Sequence, residues 1–166
     1  PMGVIVGKKK IMNSSLSTFI SSALWTERLG PACALEFIKQ FKKKKVYKKV
    51  LSNGKKIKSI WKKNAKKYNL KIEIKGIDAL ASFKILDKNW PSILTFFIQE
   101  MLLKHNIIAG ASCYANYMHT PRLLRKYDLA VSEVFSKISK LNSEGKIEKN
   151  LLGPVKQMGF NRLTGK

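Results

Sequence analysis

The first part of the chain carries one short apolar run and one longer periodic segment. The run MGVIVG is bounded by glycines, which is typical of a buried strand, and the polar stretch KKKIMNSS after it predicts a turn. The segment LGPACALEFIKQF predicts a helix with Pro31 in its first turn. Small residues within it predict close packing against a neighbour. The residues at helical spacing are Ala32, Ala34, Leu35, Ile38 and Phe41.

A second helix is predicted from Val46 to Tyr68. Its apolar residues fall on one face, and lysines occupy most of the remaining positions. This pattern is typical of a helix whose apolar stripe faces a core and whose lysine stems cover the outer surface. A basic amphipathic helix that binds a membrane or a partner groove is the alternative. Gly54 costs about 1 kcal/mol inside a helix, so we expect a kink or break there. The apolar positions are Val46, Val50, Ile57, Trp61, Ala65 and Tyr68.

Two segments that alternate apolar and polar residues follow, LKIEIKG and ASFKI, and they predict an antiparallel pair joined near Gly76 and Asp78. We expect Ala81, Phe83 and Ile85 to share one face. The next stretch, NWPSILTFFIQEMLLKHN, predicts a helix with Pro91 in its first turn. Its expected inward residues are Ile93, Leu94, Phe97, Ile98, Met101 and Leu102.

The last third contains a short strand or loop, a long helix and an irregular tail. IIAGASCYANYMHT has no clear period, whereas Thr120 and Pro121 after it are suited to the N-cap and first position of a helix. One apolar face then continues for about five turns. The tail SEGKIEKNLLGPVKQMGFNRLTGK is rich in turn residues, so we expect it to return over the surface. Strands and helices in this order predict an α+β fold. The apolar face comprises Leu124, Tyr127, Val131, Val134, Phe135, Ile138 and Leu141.

The excess of basic over acidic residues raises the question of whether the protein binds a polyanion. The 166 residues include 33 basic and 10 acidic ones, which gives a formal net charge of +23. A field of this size attracts nucleic acid and anionic membrane surfaces. However, nearly all the cations are lysines, whereas proteins that read bases favour the arginine fork. The lysine bias, with many Ile and Asn, is also what an AT-rich coding sequence produces. The arginines are Arg28, Arg122, Arg125 and Arg162.

The cysteines and the length of the apolar segments indicate the cellular compartment. Cys33 and Cys113 lie far apart and no leader of signal-peptide form precedes them, so we expect reduced thiols and a cytoplasmic protein. No apolar run reaches the roughly 18 to 20 residues that span a bilayer. We therefore expect neither a disulfide framework nor a metal site, and no membrane partner.

Individual residues give weak signals for chemistry. His105 closes a predicted helix, where an imidazolium favours the negative end of the dipole, which is a structural role. Cys113 and His119 share a loop and are candidates for a thiolate pair, or for a packed thiol and a hydrogen-bonded imidazole. The sequence has no Gly-rich phosphate loop, no zinc spacing and no serine elbow.

The order of local motifs is more specific than any single residue. PMGVIVGKKKIM, FISSALWTERLGPACALEFI, IKGIDALASFKI, FFIQEMLLKHNII, YANYMHTPRLLRKYD and GPVKQMGFNRL follow one another along the chain. In this order and spacing they resemble the C-terminal blocks of class-III aminotransferases that use pyridoxal phosphate. The resemblance covers essentially the whole chain and is greatest to the branch similar to glutamate-1-semialdehyde aminomutase.

The resemblance implies an architecture and a set of partners. Residues 1–44 would be the end of the large cofactor domain, and residues 45–166 the small C-terminal domain. The complete enzyme would be a homodimer that moves an amino group between a small-molecule donor and a carbonyl acceptor. A separately encoded N-terminal half is a further possible partner, and no specific nucleic acid is implied.

The resemblance also assigns roles to residues. The lysine that forms the Schiff base would precede Pro1, so the chain alone would be inactive, and Lys8, Lys9 and Lys10 would belong to a surface turn. Ser22 and Ala23 match the segment that contacts the cofactor phosphate from the neighbouring subunit, where Ala23 lacks the hydroxyl of the family's threonine. Candidates for the substrate entrance are Trp25, Thr26, Tyr114 and His119. The alternative function is a stand-alone lysine-rich module that binds nucleic acid or an anionic membrane.

Overall fold

The computed structural model of the protein describes residues 3, 5–19 and 27–159. The chain divides into two compact units, residues 1–46 and 47–166. The assignment of residues 1–44 to a large domain and 45–166 to a small domain stays a prediction, because the packing within a unit does not identify the enzyme domain from which it derives.

The first unit contains short helices and no strand among its described residues. Helix α1 covers Lys9–Met12, a 3-10 helix covers Asn13–Ser17, and helix α2 covers Leu29–Lys43. The strand predicted at MGVIVG is wrong for its described residues, since Ile5 and Val6 are extended or irregular and largely exposed. A strand needs a neighbour for its backbone hydrogen bonds, and no described strand pairs with this run. The turn predicted after it is instead partly helical.

The second unit is built from three long helices and one small sheet. Its strands pair antiparallel in the order β1-β2-β3. The described residues of the whole chain thus form five α-helices and a three-stranded antiparallel sheet, which confirms the predicted α+β class. The elements are α3 (Val46–Lys67), β1 (Ile72–Ile77), β2 (Leu80–Ile85), α4 (Trp90–His105), β3 (Ser112–Tyr114), α5 (Pro121–Ser143) and a 3-10 turn (Glu148–Asn150).

The core lies between one face of the sheet and the three helices. As predicted, Ala81, Phe83 and Ile85 of β2 are buried together. Phe83 is central because its ring lies 5.0 Å from that of Trp61 on α3 and 5.3 Å from that of Phe97 on α4. Its ring also lies 5.8 Å from that of Phe135 on α5. Aromatic pairs at these distances add to the free energy of area burial, so one side chain couples all four elements.

Gly54 does not break α3, contrary to the expectation from its helix propensity. The helix runs without interruption from Val46 to Lys67, and Gly54 is buried against the turn between β1 and β2. A Cβ atom at this position would lie 1.6 Å from the carbonyl oxygen of Asp78. One turn later, the Nζ of Lys58 donates to the carbonyl oxygen of Gly76 at 2.7 Å and pairs with the Asp78 carboxylate at 3.0 Å. Gly54 therefore permits close contact between the helix and the hairpin.

Helices α4 and α5 follow the predicted faces with one exception. Thr120 is the N-cap of α5, its hydroxyl accepts a hydrogen bond from the Leu123 amide, and Pro121 occupies the first helical position. On α4 the predicted inward residue Leu102 is exposed, whereas Phe96 is buried instead. The α4 apolar residues nearly encircle the helix, so spacing alone could not decide which side faces the core. No helix in the described part of the chain is long and apolar enough to cross a membrane.

Candidate functional site

A cavity of about 260 Å³ opens in the second unit between α3, α5 and the chain that connects α4 to β3. Asn106 ends α4 in the left-handed conformation that Asn tolerates, and Ile107 then donates its amide hydrogen to the carbonyl of Met101. This turn places the backbone of residues 106–110 along the cavity. The wall is completed by Ile57, Ser112, Cys113, His119, Leu123, Leu124, Lys126 and Tyr127.

His119 is fixed by the loop that precedes α5. Its Nδ1 atom accepts a hydrogen bond from the Asn116 amide at 3.2 Å, so the neutral ring carries its proton on Nε2. The loop is held in turn by Asn53 of α3, whose side-chain amide donates to the carbonyl of Asn116 at 2.8 Å. Burial lowers the pKa of His119, because the charged imidazolium loses hydration there.

Cys113 and Tyr127 are also uncharged groups at neutral pH. Burial raises the pKa of the Cys113 thiol and that of the Tyr127 phenol. The Tyr127 oxygen accepts a hydrogen bond from the indole nitrogen of Trp61 at 2.8 Å, which satisfies a polar atom inside the core. No hydrogen bond among the described residues joins Cys113 to His119. Of the two readings of this pair, the packed thiol and hydrogen-bonded imidazole fit the structure, and a thiolate pair does not.

A polar seam fixes the walls of the cavity by joining α3 to α5. The buried Asn64 amide donates to Asp128 at 2.8 Å, and Lys63 forms an ion pair with the same carboxylate. Further along, the hydroxyl groups of Tyr68 and Ser132 share a hydrogen bond of 2.9 Å. Because both helices also contribute to the core, the orientation of Tyr127 and Leu124 is determined by packing as well as by this seam.

The residues predicted for the site do not all meet in this cavity. His119 lines the cavity, whereas Tyr114 is 75% exposed on β3 and does not. Strand geometry explains the difference, because Tyr114 follows the half-buried Cys113 and adjacent side chains of a strand point to opposite faces. Ser22, Ala23, Trp25 and Thr26 lie outside the described residues. Their assignment to the cofactor and the substrate entrance therefore stays a prediction.

Sequence reasoning identified Tyr127 and Trp61 as core residues but did not pair them. A signal was present, since each carries a polar atom that needs a partner when the ring is buried. Nothing in the sequence marked Leu123 and Lys126 as cavity residues. Both are exposed residues of α5, and the sequence pattern does not distinguish them from the other exposed residues of that helix. Among the described residues, no group of three or more His, Cys, Asp or Glu side chains is arranged to hold a metal ion.

Comparisons with known proteins give a structural likeness. No protein-family model and no curated protein matches the sequence. The fold is similar, with a TM-score of 0.71 and 12% sequence identity, to that of the FumI protein of Sphingopyxis sp. MTA144 in its PLP internal aldimine form. The likeness covers 83% of this chain. The two chains share a fold. This chain matches 34% of the length of FumI, a pyridoxal-phosphate-dependent protein.

The cavity does not fit pyridoxal phosphate. This cofactor needs an amine for its aldehyde, a partner for its pyridine nitrogen and hydrogen-bond donors around its phosphate. Lys126 supplies an amine at the cavity wall, but no carboxylate lines it. Because Cys113, His119 and Tyr127 are neutral, the cavity also has no anion to pair with the ring nitrogen. Cofactor chemistry would therefore require residues other than those that line this cavity.

Proposed function

We propose that this chain is the C-terminal part of a class-III pyridoxal-phosphate-dependent aminotransferase or aminomutase. The observation that carries the proposal is the likeness of its fold to a segment of FumI, a PLP-dependent protein. The order of sequence motifs, from PMGVIVGKKKIM to GPVKQMGFNRL, supports the class-III family and its branch similar to glutamate-1-semialdehyde aminomutase. The reaction of the complete enzyme is the transfer of an amino group between an amino donor and a carbonyl compound.

In this proposal the described part of the chain has a supporting role in catalysis. The cofactor, when bound in the complete enzyme, supplies the electron sink for the reaction. The segment with Ser22 and Ala23 contacts the phosphate from the neighbouring subunit of a homodimer. The loop from Tyr114 to His119 borders the substrate entrance, where the hydrogen bond from Asn53 to Asn116 limits its movement. The chain alone is not catalytic, because the lysine that binds the cofactor belongs to the preceding segment or to a separately encoded half.

A half-reaction on the complete protein tests this proposal. The protein is isolated from its source with an antibody against residues 121–143 and mixed with single amino donors, without an acceptor. An aminotransferase or aminomutase converts its bound cofactor from the aldehyde to the amine form, which changes the absorbance spectrum. The chain 1–166 with added pyridoxal phosphate is the control, and we expect only the spectrum of the free cofactor.

Two outcomes would contradict the proposal in different ways. A complete protein that binds no pyridoxal phosphate would contradict the assignment to this enzyme group. A protein that binds the cofactor and releases carbon dioxide from amino acids, without forming the amine form, would retain the group and exclude amino transfer. Where the N-terminal half is encoded separately, the same spectra are recorded after the two halves are mixed.

A further inference from the structure

The outer face of α3 carries an unusual arrangement of positive charge. Along the helix Lys48, Ser52, Lys55, Ser59, Lys62 and Lys66 follow one another in steps of four, three, four, three and four. This spacing places all six on one line of the helix surface, and all six are exposed. We call this line the lysine ridge. With 1.5 Å of rise per residue it is about 27 Å long.

The lysine ridge lacks acidic partners, although the protein pairs lysines with acids elsewhere. Exposed or half-exposed pairs join Lys75 to Glu73, Lys146 to Glu144 and Lys63 to Asp128. Within the described residues, no carboxylate lies within ion-pair distance of Lys48, Lys55, Lys62 or Lys66. The sequence of α3 contains no Asp or Glu at all. The ridge is therefore a line of uncompensated charge.

This arrangement is unfavourable for the helix on its own. Like charges four residues apart, such as Lys62 and Lys66, destabilise a helix by a few tenths of a kcal/mol, and rows of them add up. The opposite face of α3 stabilises it instead, because Ile57, Trp61 and Ala65 are in the core. A polyanion laid along the ridge would remove the repulsion and release its own counterions, which favours binding.

We propose that the lysine ridge of α3 binds the phosphate backbone of double-stranded nucleic acid without reading its sequence. At 3.4 Å per base pair, the ridge extends along about eight base pairs. Lysines contact phosphates as point charges, and the hydroxyl groups of Ser52 and Ser59 are further donors for phosphate oxygens. The ridge has no arginine, asparagine or glutamine that could read base edges.

Two other polyanionic partners fit the ridge less well. Single strands are bound on rows of exposed aromatic rings, but the six ridge residues include no aromatic one and Trp61 of α3 is fully buried. Tyr47, at the start of α3, is the exposed aromatic residue of this helix. A helix that lies on a membrane inserts a continuous row of large apolar side chains, whereas Ile57, Ile60 and Trp61 of α3 are buried in the core of its own domain. The exposed large apolar side chains of α3, Tyr47 and Leu51, lie near its start and do not continue along the ridge. The occupant that matches both the charge and the polar character of the ridge is a duplex. This inference does not depend on the proposed enzyme function, since it needs no cofactor.

The test compares two triple variants with the same net charge. The ridge variant is Lys55→Gln, Lys62→Gln and Lys66→Gln. The control variant is Lys71→Gln, Lys84→Gln and Lys88→Gln, all exposed and all outside α3. Glutamine preserves helix propensity, and far-ultraviolet circular dichroism checks that both variants fold. Binding of the full chain to a fluorescein-labelled 16-base-pair DNA duplex is measured by anisotropy from 50 to 200 mM NaCl.

We expect the ridge variant to lose affinity about tenfold more than the control at 100 mM salt. Its slope of log affinity against log salt should fall by about 2 to 3, since each lost phosphate contact removes about 0.9. The proposal is overturned if both variants lose affinity equally, because the charge would then act as a diffuse field. It is also overturned if wild type shows no binding at 100 mM salt. Tighter binding to vesicles of 30% phosphatidylserine than to the duplex would assign the ridge to membranes instead.

Discussion

In residues 47–159 the apolar side chains of α3, α4 and α5 meet one face of a sheet, whereas α2 in the first unit keeps its apolar side chains exposed. Leu94 of α4 is 2% exposed and Leu35 of α2 is 72% exposed, although both occupy helices with a clear apolar pattern. None of the described residues before Tyr47 is buried. The difference shows that a periodic pattern predicts a helix but does not supply the surface that buries it.

The largest expected effect comes from identical truncations in the two regions. Leu94→Ala should destabilise the protein by about 2–5 kcal/mol, because it removes buried surface and leaves a cavity. Leu35→Ala should change stability by less than about 0.5 kcal/mol, since the side chain is in water already. Urea unfolding followed by circular dichroism measures both. A similar loss for Leu35→Ala would contradict the contrast and mean that α2 is buried in solution.

A methyl group added at a glycine should also lower stability in the second unit and not in the first. Gly54→Ala forces α3 away from the Asp78 carbonyl at a cost of about 2–3 kcal/mol, because the obstructing atom belongs to the backbone, and about 1 kcal/mol of helix propensity offsets it. We expect a net loss of about 1–2 kcal/mol. Gly3→Ala is the matched control, because nothing lies within 4 Å of the added atom. A neutral Gly54→Ala would show that the hairpin is free to move relative to α3.

Breaking the polar seam between α3 and α5 should lower the free energy of unfolding by less than the two changes above. Asp128→Ala removes an acceptor from the Asn64 amide, which is 3% exposed, and we expect a loss of about 1 kcal/mol. In the first unit, Glu36→Ala breaks exposed contacts to Lys39 and Gln40 and should cost less than about 0.5 kcal/mol. Thermal unfolding of the two variants compares them. Equal shifts in Tm would mean that the seam is as exposed as the pair on α2.

The smallest expected effect is a pH dependence that arises within the second unit. Burial lowers the pKa of His119 below 6.5, so the unfolded chain takes up its proton at a higher pH than the folded one. Stability should therefore fall as the pH drops below 6.5, until the lowered pKa is passed. Proton NMR titration, with His119→Gln to assign the signal, gives the midpoint. A midpoint at or above 6.5 would mean that the cavity is hydrated at His119.

The sequence predicted elements well where periodicity and packing agreed. The alternation in β2 gave its buried face, and Thr120 with Pro121 gave the start of α5. In the run MGVIVG the pattern was wrong for the described residues Ile5 and Val6, because an apolar run becomes a strand only when a neighbouring strand pairs with it. The kink expected at Gly54 was also wrong, since the role of this residue depends on contact with Asp78, 24 residues further along the chain.

The candidate site was less predictable than the fold. His119 was found because it stands in a recognisable loop, but its placement opposite Ile57 and Tyr127 depends on how α3 and α5 cross. The family resemblance assigned Tyr114 to the same entrance, which stays a prediction, and the pleat of β3 directs its side chain away from the cavity. Side-chain direction in a three-residue strand follows from the register with β2, which the sequence does not specify.

Borohydride reduction of the native protein tests most directly the proposal that this chain is part of a pyridoxal-phosphate enzyme. Reduction fixes the cofactor to its lysine as a stable pyridoxyl group. An antibody against residues 121–143 then isolates the protein, and mass spectrometry searches it for pyridoxyl-lysine. We predict that this group is found in the polypeptide that contains α5, or in a chain that forms a stoichiometric complex with it. Isolated α5-containing protein with no pyridoxyl-lysine in either place would contradict the account.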